Sequence, residues 1–199
     1  MSQIIDFYRG YKVNSCRHQL SDIWTFSFQR MEQVHDYIQW MFPLDEPSNH
    51  NPEAPILTKE DIEEFKRSPK LRWSLLTSVH TYMRFLDVTP GQWVTEFDHN
   101  HLRITRMLKC LMLMGMELEA RARLDEVMLI VRSRDAEETM AKAIGFWREA
   151  VDGEEEGETE LTEFEVKIPQ WVCKDCGLIN LSEVGECPNC GGPRPPYKV

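Results

Sequence analysis

His35-Asp36-Tyr37-Ile38-Gln39-Trp40-Met41-Phe42-Pro43 decides how the chain is to be read. Three aromatic and two large aliphatic residues fall within nine positions. Helical spacing puts Tyr37, Trp40 and Met41 on one face, which Ile38 and Phe42 widen. The stretch therefore reads as a core helix. Pro43 ends it, because the residue before a proline is pushed out of the α region, and a loop rich in Pro, Asn and Glu follows.

Before this stretch, Ile4, Ile5, Phe7, Tyr8, Ile23, Trp24, Phe26 and Phe28 read as irregular or helical. The alternation from Trp24 to Phe28 is strand-like, yet no partner strand follows. After the loop, Thr58 caps a helix with Glu60 and Asp61 in its first turn and Ile62 and Phe65 inward. Pro69 starts the next, where Leu71, Leu75, Val79, Met83 and Leu86 form a regular stripe. Thr89-Pro90-Gly91 reads as a turn. Asn100 is the expected cap of a helix carrying Ile104, Leu108, Leu111 and Met112 to a stop at Gly115. Ala120, Leu124, Val127 and Val131 mark another helix, and Asp135 is the expected cap of a last one over Met140, Ile144, Trp147 and Val151. Six helical segments on short turns give an all-α domain over residues 1–151. Met107, Met112, Met114 and Met116 read as gap-filling core.

The chain has 199 residues, 42% of them hydrophobic and 28% charged, enough to bury one ordinary core with something small beside it. The most apolar run, Cys110 to Met116, is too short to cross a bilayer. The polar start (Ser2, Gln3, Asp6) lacks the order of a signal peptide, so an intracellular protein of the cytoplasm or nucleus is expected. Most of the net charge of −10 comes from eight acidic residues between Asp152 and Glu165, with no basic one among them. This acidic, Gly-punctuated stretch has too few apolar groups to fold alone and reads as a linker, 152–167. Neither flanking part offers a basic footprint for phosphates, and nucleic acid is not the expected partner.

Four of the six cysteines lie in the tail, 168–199, as Cys173-Lys174-Asp175-Cys176-Gly177 and Cys187-Pro188-Asn189-Cys190-Gly191. Each is a knuckle presenting two sulfurs to one ion. Four thiolates make a closed tetrahedral site, structural rather than catalytic, and metal binding on the order of 10–16 kcal/mol is then the folding free energy of so short a tail. The expectation is a small four-cysteine, zinc-ribbon-like domain with zinc as the metal and iron as the alternative. The lone Cys110 reads as packing rather than a nucleophile.

The tail resembles two known modules. Trp171, Cys173, Cys176, Asn180, Cys187 and Cys190 have the spacing of the Ran-binding-protein-type zinc finger, whose members bind ubiquitin or single-stranded RNA. The ubiquitin-binding kind carries Thr-Phe where this chain has Gly177-Leu178. The RNA-binding kind has a stacking aromatic and arginines where this chain has Leu181, Glu183 and Glu186. Docking to a protein through Trp171, Leu178, Ile179, Asn180 and Leu181 is the first expectation and RNA binding an alternative. Cys187-Pro188-Asn189-Cys190-Gly191-Gly192-Pro193-Arg194 and Tyr197 also resemble the rubredoxin-like tail of rubrerythrins.

The long segments resemble the conserved region of the opioid growth factor receptor family over residues 5–116. Phe7-Tyr8-Arg9, Trp24, Met31-Glu32, the His35–Pro43 stretch, Leu57-Thr58, Phe65, Asn100, Leu102-Arg103-Ile104-Thr105-Arg106-Met107-Leu108-Lys109 and Leu111 to Gly115 carry the likeness. The resemblance implies a helical domain. In vertebrate members it belongs to an intracellular, nucleus-associated receptor for enkephalin-type peptides, so the resemblance implies a peptide-receptor-type activity, while the closed metal site beside a bundle without convergent catalytic groups makes an intracellular protein-interaction role the first expectation.

One constellation points elsewhere. Glu32-Gln33-Val34-His35 and Glu96-Phe97-Asp98-His99 are both Glu-x-x-His, the helical pair that, taken twice with further glutamates, holds two irons in ferritin-like bundles. Glu32, His35, Glu96 and His99 thus define an alternative second metal site, and with an iron-loaded tail they give a rubrerythrin-type oxidoreductase as the rival reading. No Gly-rich phosphate loop, nucleophile elbow or His-Glu-x-x-His occurs in the sequence, so a non-enzymatic protein is the first expectation. The sequence does not set an oligomeric state.

Overall fold

In the computed structural model, which describes residues 2–153 and the backbone of 170–172 and 179–181, the chain begins with four short helices: α1 (Gln3–Tyr8), α2 (Leu20–Trp24), α3 (Phe28–Gln33) and α4 (Ile38–Met41). None exceeds six residues, far below the length at which a helix stands alone in water, so packing holds them. The Trp24–Phe28 alternation makes no strand; it spans the end of α2 and the start of α3. There Phe26 is buried and the Trp24 indole donates to Ser78 Oγ at 2.9 Å.

α4 is a single turn without an outer face. Tyr37, Ile38, Gln39, Trp40, Met41 and Phe42 are each 6% exposed or less, so the expected one-sided helix is instead enclosed all round. Phe42, ahead of Pro43, leaves the α region at φ −130° and ψ 73°. A helix this short cannot satisfy its own last carbonyls. Side chains from elsewhere do so: buried Tyr8 OH donates to Met41 O at 2.5 Å and half-buried Arg106 Nε to Phe42 O at 2.8 Å.

α5 (Lys59–Arg67) opens with the expected cap, Thr58 accepting from Asp61 N at 3.2 Å while the Asp61 carboxylate accepts from Thr58 N at 3.0 Å. α6 (Pro69–Val88) buries its whole predicted stripe, Leu71 through Leu86, each large side chain contributing roughly 1.5–3 kcal/mol. Thr89-Pro90-Gly91 is not a simple turn: Pro90 starts a one-turn helix, α7 (Pro90–Trp93), whose Trp93 indole donates to Leu86 O at 2.9 Å. α8 (His99–Leu113) packs on α7, α9 (Glu117–Arg132) and α10 (Ala141–Asp152), while α6 packs on α1, α2, α5 and α7. Tyr82 of α6 joins the two groups, 5.8 Å from the Phe42 ring and donating to Asn100 Oδ1 of α8 at 3.0 Å.

Two expected caps are replaced. Asp98, not Asn100, caps α8, accepting from Asn100 N at 2.7 Å, and Asn100 is buried inside the first turn. Asp135 adopts a left-handed φ of +52°, and α10 starts six residues later behind Met140. Gly115 follows α8 at φ +64°, where the left-handed region favours glycine. Met107, Met114 and Met116 are buried in the core and Met112 packs against it, as gap-filling methionine should. Among the described residues no helix is long and apolar enough to cross a membrane.

The chain divides into two compact units, 1–156 and 157–199. In the second, β1 (Gln170–Val172) pairs antiparallel with β2 (Ile179–Leu181), Trp171 opposite Asn180. The expected metal ligands Cys173, Cys176, Cys187 and Cys190, with Leu178, lie outside the described residues.

A candidate binding cleft where the two motif stretches meet

The two most distinctive stretches of the helical domain, His35–Pro43 and Leu102–Lys109, face one another. Between α4 with the loop after it and the outer face of α8 lies a cleft of about 510 Å³, within the range of ligand sites. His35, Ile38 and Gln39 contribute from the first stretch, Leu102, Arg103, Arg106 and Lys109 from the second, and Leu44 with Glu46 through His50 close the side.

Arg103 builds the floor. Although 6% exposed, its guanidinium reaches four acceptors: Nη1 donates to Met31 O at 3.0 Å and Asn100 Oδ1 at 3.1 Å, and Nη2 to Val34 O at 3.0 Å and His35 Nδ1 at 3.1 Å. It also lies 5.6 Å from the centre of the Tyr37 ring, a cation–π distance. The arginine thus ties the end of α3 to the start of α8. Because His35 Nδ1 accepts from a group that cannot give up its proton, the His35 proton sits on Nε2, and the ring offers a donor rather than a lone pair.

Asn100 extends the network, donating to Glu32 Oε2 at 3.1 Å. The free oxygen, Glu32 Oε1, stands 3.4 Å from His99 Nε2, and Asp98 Oδ2 is 3.6 Å from His99 Nδ1. Of the residues in the two Glu-x-x-His pairs, the fold therefore gathers Glu32, His35 and His99, whereas Glu96 is exposed and Asp98 stands at the cluster instead. Glu32, Asp98 and His99 each offer one ligand atom, all within 4.8 Å of one another, the spacing of a small three-point cation site. Burial, then the positive charge of Arg103, lowers the His99 pKa, against Asp98 and Glu32, which raise it.

His101 diverges from His99, as neighbours on a helix must. Its Nε2 meets Trp93 O at 2.8 Å, and its carbonyl accepts from the Trp147 indole at 3.1 Å, so it fastens α8 to α7 and α10. Cys110 is fully buried, and burial pushes its thiol pKa up to about 12, which leaves no thiolate for nucleophilic work at neutral pH.

Sequence reasoning gave Arg103 and Arg106 no structural role beyond their place in the stretch that carries the family likeness. The available signal was the irregular chain before them: short helices near Met31, Val34, Met41 and Phe42 leave carbonyls that something buried must satisfy.

The opioid growth factor receptor conserved region matches residues 7–151. The chain is 34% identical over 110 residues to opioid growth factor receptor-like protein 1 of Mus musculus, covering 47% of this chain and 24% of that protein. To the opioid growth factor receptor of Homo sapiens it is 33% identical over 136 residues, 57% of this chain and 20% of that one. To the Mus musculus receptor it is 32% identical over 111 residues, 47% and 17%. The aligned part thus spans about a quarter or less of these relatives' length. No solved structure matches the chain.

Proposed function

The chain belongs to the opioid growth factor receptor conserved-region family, and from that premise we propose that it is an intracellular, non-enzymatic binding protein whose helical domain receives a partner's polypeptide in the cleft between α4 and α8. The observation that carries this reading is the cleft itself: its walls come from the two stretches that bear the family likeness, and exposed Leu102, at 55%, gives it an apolar grip. Of the relatives, one is named a receptor and one receptor-like, which agrees with a binding role here. The tail is read as a zinc finger, with one Zn²⁺ on Cys173, Cys176, Cys187 and Cys190, that docks a second protein surface.

Three forms of the chain test both parts: wild type, Leu102→Asp for the cleft and Cys187→Ser for the finger, compared by quantitative affinity capture and elemental analysis. Partners lost with Leu102→Asp belong to the cleft, and those lost with Cys187→Ser, together with the zinc, belong to the finger. A partner set unchanged by Leu102→Asp removes the cleft from the reading; one zinc per chain in wild type and none in Cys187→Ser is expected of the tail. Three irons per chain with visible absorption would instead favour the di-iron reading, for which Glu32 and His99, brought within ligand range of one another beside Asp98, are the specific observation.

A further inference from the structure

The geometry points to a more definite occupant: we propose that the cleft recognises an acidic peptide segment, with Arg106 and Lys109 pairing its carboxylates and Gln39 holding its backbone. This rests on the cleft being a polypeptide site and names the chemistry it selects.

The charge along the cleft is one-sided. Arg103, Arg106 and Lys109 line it against a single carboxylate, Glu46, which lies 3.3 Å from Lys109. That pair is half exposed on both sides, the kind of surface contact an incoming carboxylate displaces easily. Arg103 is committed to the floor by four acceptors, but Arg106 is not. Its Nε is fixed on Phe42 O, and among the described residues no carboxylate lies within 4 Å of its guanidinium. A guanidinium anchored through Nε keeps the end-on pair of Nη groups, a fork that fits a carboxylate.

Gln39 supplies an independent sign. It is 6% exposed and lines the cleft; its Nε2 donates to Ser48 Oγ at 3.3 Å, while its Oε1 is buried with no hydrogen-bond partner. Buried carbonyl oxygens are nearly always paired, so this orphan, with less than 1 Å² open to solvent, gains its partner when the Gln39 amide turns toward a ligand N–H in the cleft. An acceptor for a backbone amide, a guanidinium fork, an ammonium group and apolar Leu102 between them describe a short peptide with an apolar side chain flanked by carboxylates. The same features suit a peptide better than a nucleic acid strand, because no Phe, Tyr or Trp lines the cleft as a base-stacking platform.

The test is a titration of the ¹⁵N-labelled full chain with the acetylated, amidated peptide Glu-Glu-Leu-Glu-Glu-Leu-Glu-Glu and its Gln-for-Glu counterpart. It is read by amide shifts at Leu102 and Lys109 and by fluorescence anisotropy at low and high salt. To keep the chain's own acidic stretch from competing, the titration is repeated with the seven glutamates between 154 and 165 changed to Gln. The acidic peptide is expected to move the cleft resonances, to bind at least tenfold tighter than the neutral one, and to weaken severalfold as salt rises. Lys109→Glu, at an exposed position that leaves the fold alone, should weaken it about tenfold, and Arg106→Gln by more. Equal binding of both peptides overturns the acidic assignment while leaving the cleft as a polypeptide site. Cleft resonances that move with neither peptide, or only with a single-stranded oligonucleotide, overturn the proposal too.

Discussion

Replacing Arg103 by Met keeps the apolar stem and deletes the guanidinium, so the loss can be worked from its four acceptors. Met31 O retains Tyr37 OH at 3.0 Å, and Asn100 Oδ1 retains Tyr82 OH at 3.0 Å. Val34 O and His35 Nδ1 keep no other described partner. Leaving a buried acceptor unsatisfied costs about 1–3 kcal/mol. The exposed His35 side chain is partly rescued by water, which brings the sum to roughly 1–5 kcal/mol, or a fall in Tm of roughly 2–20 °C for a region this size. Urea unfolding followed by helical circular dichroism at 222 nm measures it, with thermal melts in parallel. Arg103→Lys should recover only part, because one ammonium cannot span acceptors on both sides of the α3–α8 junction. A variant within 1 kcal/mol of wild type would refute the claim that this guanidinium ties the two helices together.

Other outcomes follow from the same contacts. Thr58→Ala opens the box at the start of α5 and should cost about 1 kcal/mol, seen as a small drop in the urea midpoint. Trp147→Ala empties a fully buried site and orphans His101 O, so a loss of about 3–5 kcal/mol is expected in the same assay. Burial lowers the pKa of His80 and His99 below the ordinary 6.5. The folded state then takes up fewer protons than the unfolded one, so stability is full above pH 6.5, declines as pH drops below it, and declines less in His80→Gln and His99→Gln. In native protein, maleimide followed by peptide mapping should label exposed Cys16 and spare Cys110 until the chain is denatured.

The helices that carry a stripe were legible because periodicity is a direct image of burial: α5, α6, α9 and the apolar side of α8 stand where their large apolar residues put them. The N-terminal third was harder. Four helices of four to six residues offer too few turns for a period to show, and α4, enclosed on all sides, has none. Capping misled twice for one reason. Asn100 and Asp135 are good caps by type, but a polar side chain serves whichever partner the tertiary fold brings, and for Asn100 that partner was Tyr82, Arg103 and Glu32 rather than its own backbone. Of the cleft, His35 is legible as half of a Glu-x-x-His pair, whereas the work of the arginines across from it is not, because the carbonyls they satisfy have no positions in a sequence.

The shortness of α1 to α4 bears on how the protein is made. Their aromatic side chains are covered by α6 and α8, which leave the ribosome much later. At 5–20 residues per second, synthesis from Met41 to Leu113 takes roughly 4–15 s, during which these side chains first lack the cover of α6 and then still lack that of α8. A nascent chain in that interval is a client for holding chaperones, and its yield in the cell should depend on them more than the stability of the finished domain would indicate.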